Sequence, residues 1–189
     1  MDEHFLSSHD DPRLEHYAVR PATPGDAAGI ARVYVATWKR AYRGIIPDAH
    51  LDRLAYRHQY QTRRSMLEAP SDGRRTFVAT EPVGWIIGFV DIGASHGDLE
   101  FAGELVSLVV MEQYRDLAID AWLLETAIRA QLAAGRRSMR VWALADDPSR
   151  RVYEAYGAEQ IATRPVQIGG ATLTEVAYGW HDLGAVVGK

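Results

Sequence analysis

The segment EQYRDLAIDAWLLET, residues 112–126, has the character of a turn that binds an anion where a helix begins. It follows an apolar run and opens an amphipathic stretch, and the free N–H groups and dipole of a helix N-terminus attract phosphate. Such turns favour glycine, because glycine lets the backbone approach the phosphate closely. This turn instead carries Asp116 and Asp120. The sequence therefore indicates an anion site and leaves open whether that site works or has been lost.

Each aspartate has its own explanation. Asp116 predicts an N-cap, since its carboxylate would accept the N–H groups that a phosphate would otherwise take. Asp120 falls on the helical stripe that should face the core, so it is either a member of a structural ion pair or a functional acid in a cleft. Beside a diphosphate, each carboxylate would cost about 3 kcal/mol at about 5 Å and an effective dielectric of about 20.

Composition and charge are those of an ordinary globular chain. The 189 residues are 47% hydrophobic and 24% charged, with a net charge of −4. This balance indicates neither a nucleic-acid surface nor a membrane surface. The chain has no cysteine, which excludes disulfides, thiolate nucleophiles and cysteine metal ligands. The opening residues lack an apolar signal-peptide core and no run of about 18 apolar residues occurs, so we expect a cytoplasmic protein with no membrane span and no metal site.

Hydrophobic periodicity predicts a flexible tail over residues 1–16 and a single domain over residues 17–189. Helices are predicted at residues 24–42, 48–66, 117–134 and 148–156. Strands are predicted at residues 17–22, 76–80, 83–92, 104–111 and 139–145, followed by a hairpin that turns at Gly169-Gly170. The element order is therefore β-α-α-β-β-β-α-β-α-β-β.

Four segments in this order resemble the GCN5-related N-acetyltransferase (GNAT) family over residues 17–182. They are TWKRAYRGIIPDAHLDRL, GELVSLVVMEQYR, VWALADDPSRRVYEAYGAE and VQIGGATLTEVAYG. The resemblance implies an α+β fold with α/β/α layers, in which a mixed, mostly antiparallel sheet of about six to seven strands is flanked by about four helices. The family's loop after its fourth strand reads approximately Q/R-x-x-G-x-G/A and binds the diphosphate of coenzyme A. The resemblance matches Arg115 to the basic residue of this loop and takes Asp116, Ala118 and Asp120 as the residues that stand where the loop in the family has small residues.

The resemblance also implies site residues. Glu104 stands where a general base occurs, and Tyr153 matches a tyrosine that can protonate the departing thiolate. A backbone N–H near Val109 or Val110 would polarise the acetyl carbonyl. The expected acetyl-CoA contacts are Leu108, Val109, Val110, Arg115, Asp116, Leu117, Ala118, Ile119 and Asp120. The expected acceptor pocket is formed by Trp38, Tyr42, Arg43, Trp85 and Phe89. The structural alternative for Glu104 is an exposed residue at the end of a strand. For Tyr153 and the aromatic residues of the pocket, the alternative is a place in the core.

Three functions remain open. The first is an N-acetyltransferase that uses acetyl-CoA to modify a small-molecule amine or a protein amine, with a donor site that the aspartates weaken or abolish. The second is a catalytically inactive binding or dimerisation module, for which a homodimer is one assembly. The third is a repurposed enzyme that uses Asp120 in its cleft. None of the three implies a nucleic-acid or membrane partner.

Overall fold

Seven strands form one sheet in the computed structural model, which describes residues 12–96 and 100–187. They are β1 (Ala18–Pro21), β2 (Arg75–Thr80), β3 (Ile86–Ala94), β4 (Gly103–Val110), β5 (Met139–Leu144), β6 (Glu159–Ile168) and β7 (Ala171–Trp180). Their order across the sheet is β1-β2-β3-β4-β5-β7-β6. Only β4 and β5 are parallel; the other neighbours are antiparallel. The predicted mixed, mostly antiparallel sheet is confirmed.

Helices cover both faces of this sheet. They are α1 (Ala27–Ala41), α2 (Asp48–Asp52), α3 (Tyr56–Glu68), α4 (Ile119–Ala133), α5 (Arg150–Ala155) and α6 (Leu183–Val187). Helix α4 packs on one face against β1 to β4, and α1 packs on the other face against β3, β4 and α3. The helix predicted over residues 48–66 is two helices, because residues 53–55 leave the helical path. The six α-helices of the described ranges exceed the predicted number of about four through this break and the short α6.

The two layers are held by separate hydrophobic clusters. Leu123, Leu124 and Ile128 of α4 meet Leu105 and Val110 of β4 in the larger cluster. On the opposite face, Ile30 and Val33 of α1 pack against Phe89 and Val109. Val109 and Val110 thus bury opposite faces of one strand, which agrees with the predicted central, apolar β4. Within the described ranges, no helix is both long and apolar enough to cross a bilayer.

Glycine ends α4 and turns the last hairpin as the sequence predicts. Gly135 has φ +77°, the N–H of Gly135 bonds to the carbonyl of Leu132, and the N–H of Arg136 bonds to the carbonyl of Gln131. This is the Schellman arrangement, which favours glycine because a Cβ is disfavoured at positive φ. Gly169 and Gly170 have φ +60° and +86°, as required in a two-residue turn between antiparallel strands.

The tail predicted over residues 1–16 does not extend to residue 16. Residues 1–11 lie outside the described residues. Residues 12–16 belong to the domain, because Leu14 is 3% exposed, sits in the larger core cluster and accepts the N–H of Tyr17 through its carbonyl. One apolar side chain in a polar segment therefore anchors the chain ahead of β1.

Candidate active site

The central feature of the candidate site is the point where β4 and β5 separate. They pair only through Gly103–Met139, Glu104–Arg140 and Leu105–Val141, although β4 continues to Val110 and β5 to Leu144. On its other edge β4 remains paired with β3. The gap between the parallel strands opens into a cleft of about 280 Å³. Backbone groups on one edge of β4 are therefore free of a neighbouring strand.

Three parts of the chain meet at this cleft. Helix α1 and the residue after it supply Thr37, Trp38, Ala41 and Tyr42. Strand β4 supplies Leu108, Val109 and Val110, and the following turn supplies Arg115 and Asp120. The approach to α5 and its first turns supply Asp147, Pro148, Ser149, Arg151 and Val152. A second cavity of about 360 Å³ adjoins the cleft through Thr37, Ala41, Arg115 and Pro148.

The predicted anion turn has an unusual backbone at Ala118. A 3-10 helix (Glu112–Leu117) follows β4, and Ala118 then adopts φ +52° and ψ +30° before α4 begins. This left-handed conformation favours glycine, and Ala118 is where the family pattern has one of its small residues. The turn thus has a backbone that suits glycine, although the residue at this position is alanine. Arg115 lies just before this point and lines the cleft.

The prediction that Asp116 caps the helix is wrong. Asp116 is exposed, and the N-cap residue of α4 is Ala118, whose methyl side chain cannot accept a hydrogen bond. Asp120, in the first turn of α4, bonds to the helix backbone instead, because its Oδ1 accepts the N–H of Ala121 at 2.9 Å. The two aspartates therefore differ, with Asp116 facing solvent and Asp120 in the cleft. The repulsion expected from two carboxylates reduces mainly to that of Asp120.

Asp120 is a carboxyl group whose charge is disfavoured by its surroundings in this cleft. Burial raises its pKa, and the hydrogen bonds to backbone N–H groups and the positive charge of Arg115 oppose that change. Within residues 12–96 and 100–187, no arginine or lysine forms an ion pair with Asp120. Asp120 is therefore not the ion-pair member that the sequence left open; it is an acid that lines a cavity.

A second carboxylate lies across the cleft. Asp147 is 7% exposed, its Oδ2 accepts the hydroxyl of Tyr42 at 2.5 Å, and its Oδ1 accepts the N–H of Ser149 at 2.8 Å. Burial and the neighbouring charge of Asp147 raise the pKa of Tyr42, so Tyr42 keeps its proton and remains a donor. These bonds join the end of α1 to the start of α5.

Tyr153 lies behind the cleft wall. It is 3% exposed, and its ring packs against Tyr178 and Trp180 with centroids 6.1 and 6.0 Å away. Burial raises its pKa, as does the charge of Asp147, while a hydrogen bond with Ser149 lowers it. Tyr153 is thus both the core aromatic that the sequence allowed and a protonated hydroxyl bonded to a residue of the cleft. Its predicted catalytic role stays a prediction.

Glu104 lies away from the cleft lining. It sits in the paired part of β4, beside Arg140 in the register, four residues before Leu108 and so about 13 Å along the strand. Leu105 packs on the α4 side of the sheet, so alternation places Glu104 on the opposite side. Contact with a group in the cleft would need an intervening water.

The predicted acceptor residues divide into two groups. Trp38 and Tyr42 line the cleft. Phe89 is 0% exposed in the core, Trp85 is 58% exposed beside Arg32 in the β2–β3 turn, and Arg43 pairs with Asp48 and Asp52 outside the cleft. The structure therefore does not bring Phe89, Trp85 or Arg43 to the predicted pocket. Aromatic residue type alone could not separate core, surface and cleft positions.

Some lining residues were missed by the sequence analysis, namely Thr37, Ala41, Pro148, Arg151 and Val152. Thr37 and Ala41 are four apart on α1 and so share a face next to Trp38, which is a signal that helical spacing provides. Arg151 is in the first turn of α5 and adds a second cation beside Arg115. Of the predicted coenzyme contacts, Asp116 is exposed and Ile119 is fully buried in the core.

Comparisons with known proteins agree on one family. No protein-family model matches the chain. The chain is 32% identical over 169 residues to the uncharacterized N-acetyltransferase YuaI of Bacillus subtilis (strain 168), an alignment that covers 89% of this chain and 95% of that protein.

Solved structures share the fold. A GCN5-related N-acetyltransferase from Rhodopseudomonas palustris superposes with a TM-score of 0.67 at 20% identity, over 86% of this chain and 93% of that one. The PaiA N-acetyltransferase from Thermoplasma acidophilum, solved in complex with coenzyme A, gives a TM-score of 0.65 at 17% identity, over 85% of this chain and 97% of that one. With the relative's identity over nearly its whole length, this shared fold establishes that the chain belongs to the GCN5-related N-acetyltransferase superfamily.

Proposed function

We propose that this protein transfers the acetyl group of acetyl-CoA to an amine in the cleft between β4 and β5. The observation that carries the proposal is the separation of these strands after Leu105 and Val141, which opens the edge of β4 next to the start of α4. A thioester with a long amide-bearing arm suits such an edge, because free backbone groups can pair with its amides.

The backbone of β4 supports a specific orientation of the donor. The N–H of Met111 bonds to the carbonyl of Ile87 in β3. Along a strand these groups alternate in direction, so the N–H groups of Leu108 and Val110 face the open edge. We assign polarisation of the acetyl carbonyl to the N–H of Val110, since hydrogen-bond donors fixed before the reaction stabilise the developing negative charge.

The turn before α4 offers both attraction and repulsion to a diphosphate. Arg115 and Arg151 line the cleft and carry positive charge. Ile119 begins a helix of 15 residues, whose first N–H groups are suited to an anion. The carboxylate of Asp120 opposes the diphosphate from the same place. The residues therefore fit acetyl-CoA, with an affinity that depends on the protonation of Asp120.

The transfer needs two proton movements. The amine nitrogen attacks the acetyl carbon and loses a proton, and the thiolate of coenzyme A takes a proton as it leaves. We assign the second proton to Tyr153, which burial keeps protonated. Asp120 in the cleft and Glu104 through water are the two candidate bases. The pH profiles of Asp120→Asn and Glu104→Gln distinguish them, because only loss of the true base removes the acidic limb of kcat.

The test is calorimetric titration of acetyl-CoA into the protein, followed by release of free coenzyme A thiol with a panel of small and peptide amines. We expect binding that weakens about tenfold on Arg115→Ala or Arg151→Ala, as loss of a charged phosphate contact requires. The triple variant Asp116→Gly, Ala118→Gly and Asp120→Gly should bind more tightly than the natural protein.

A binding module is the second candidate, and the carboxylate of Asp120 at the start of α4 is the observation that favours it. In that case the natural protein fails to bind acetyl-CoA while the triple glycine variant binds it. Binding without thiol release across the panel would leave the donor site intact and overturn the proposed catalysis for those amines.

A further inference from the structure

We propose that Asp91 is a positioning residue, which holds the part of β4 that lines the cleft at the angle where it leaves β5. Asp91 lies in β3, outside the cleft, and it is 6% exposed. The inference rests on the proposed function, because the direction of β4 matters to catalysis only if the cleft binds the donor.

One carboxylate ties four elements together. Asp91 Oδ1 accepts the hydroxyl of Thr76 in β2 at 2.6 Å. Its Oδ2 accepts the hydroxyl of Ser107 in β4 and the guanidinium of Arg63 in α3, each at 2.5 Å. Thr76 and Ser107 are the register partners of Asp91 on either side. The network therefore runs across three adjacent strands and fixes their relative positions.

The contact with Ser107 is placed where β4 changes course. Asp91 pairs with Ser107, but the next residue, Ile92, pairs with Leu105, so Val106 is an extra residue in β4. Such a bulge bends its strand. The pairing of β4 with β5 ends at Leu105, and the cleft lining begins at Leu108. Ser107 thus lies between the bulge and the lining segment, and its bond to Asp91 fixes the direction in which that segment leaves.

Arg63 extends the same network to the opposite wall. It is 7% exposed, and its guanidinium lies over the ring of Phe89 at 4.6 Å and that of Tyr34 at 5.5 Å. Tyr34 stacks on Trp38 at 4.9 Å, and Trp38 lines the cleft. A buried ion pair is weak evidence for a stability role, since apolar residues of similar size often serve as well. Through Asp91 and Tyr34, however, Arg63 connects β4 to the α1 wall of the cleft, and a positioning role requires such a connection.

The deciding variant is Ser107→Ala, which removes one hydroxyl and leaves the Arg63–Asp91 pair in place. The matched control is Ser138→Ala, which removes a hydroxyl that accepts the N–H of Ala102 at the paired end of the sheet. Hydrogen–deuterium exchange reports on residues 106–111 without any ligand, and titration reports on acetyl-CoA. We expect exchange in this segment to rise about tenfold in Ser107→Ala only, and acetyl-CoA to bind about tenfold more weakly. Ser107→Thr should restore both.

Unchanged exchange over residues 106–111 in Ser107→Ala, or an equal rise in Ser138→Ala, would overturn the positioning role. So would faster exchange with unchanged acetyl-CoA affinity. If the natural protein binds no acetyl-CoA, the proposed function fails while exchange still decides whether Asp91 positions β4. Asp91→Asn keeps the shape of the side chain but leaves Arg63 without its charge partner, and we expect a larger change in the same segment. If Asp91→Asn does not fold, the Ser107→Ala variant alone decides whether the network positions β4.

Discussion

The hydroxyl of Tyr42 bonds to the carboxylate of Asp147 in the wall of the cleft, and this contact joins two residues that are 105 positions apart in the chain. Both residues line the cavity. Because Asp147 also accepts the N–H of Ser149, the bond connects the end of α1 to the residues that begin α5. This hydrogen bond therefore links two walls of the cleft.

Removing this bond should destabilise the protein. We expect Tyr42→Phe to lower the free energy of unfolding by about 2 kcal/mol, because a hydrogen bond to a charged acceptor is lost and Asp147 stays buried. Urea unfolding measures the change. Tyr34→Phe is the matched control, since Tyr34 also stacks on Trp38 and its described contacts, with Trp38 and Arg63, are made by its ring. Equal losses in the two variants would contradict a specific role for the bond.

Acetyl-CoA should bind more tightly as pH falls from neutral toward 3.8, the ordinary pKa of this carboxyl group. Burial raises the pKa of Asp120, so falling pH neutralises a carboxylate that repels the diphosphate. We expect the dissociation constant to change about tenfold, the effect of roughly 1.4 kcal/mol. The phosphates of the ligand also titrate near pH 6. The phosphates still titrate when the ligand binds Asp120→Asn, but the carboxyl group of Asp120 is absent. A pH dependence that persists in this variant would therefore exclude Asp120 as its source.

The same carboxyl group should make stability depend on pH. A raised pKa means that the folded state binds its proton more tightly than the unfolded state. The contribution of Asp120 is therefore most favourable below the ordinary value of 3.8 and declines as pH rises through the folded pKa. Thermal unfolding should show Asp120→Asn to be more stable than the natural protein at neutral pH, with the difference vanishing near pH 4. A constant difference at every pH would contradict the pKa shift.

Asp26 should have the opposite pH dependence. The bidentate contact with Arg20 at 2.8 Å and the bonds from Thr23 lower the pKa of Asp26 to about 2. Its stabilisation is thus present above the ordinary value of 3.8 and is lost as pH falls toward 2. We expect Asp26→Asn to cost about 1–2 kcal/mol at neutral pH, reduced by the solvent exposure of Arg20. The cost should shrink in acid.

Glu68→Gln is the control for that measurement, because the exposed Arg64–Glu68 pair within α3 also joins an arginine to a carboxylate. Its loss should cost no more than about 0.5 kcal/mol. A cost for Asp26→Asn that stays the same at pH 2 and pH 7 would show that the carboxylate charge does not supply the stabilisation.

Glycine at position 118 should be tolerated or favourable. Ala118 has φ +52°, a conformation that costs an alanine about 1–2 kcal/mol and that glycine adopts without this cost. The greater chain entropy of glycine in the unfolded state offsets part of the gain. We expect Ala118→Gly to raise the free energy of unfolding by up to about 1 kcal/mol. Ala36→Gly, within α1, should lower it by about 1 kcal/mol. Equal losses at both positions would mean that Ala118 is not strained.

Local chemistry was enough to predict most of the fold. Apolar spacing predicted α1, α4 and the strands, and glycines at positions 135, 169 and 170 marked the turns where positive φ occurs. The split between α2 and α3 was not predicted, because residues 53–55 lack a strong helix breaker. Leu14 was missed for a related reason, since a single apolar residue in a polar segment has no periodicity to indicate burial.

The sequence by itself determined the family fold, through hydrophobic periodicity and through the four segments that resemble the family. Residue types at short spacing also determined the turn at residues 112–120 and its two aspartates. Only the tertiary structure decided that Asp116 is exposed while Asp120 lines the cleft. It also decided that Phe89 is buried in the core whereas Trp38 lines the cleft. It also decided that Asp91 reaches Ser107 and Arg63. Burial and long-range partners depend on how distant elements pack, and residue type and local spacing carry no record of that packing.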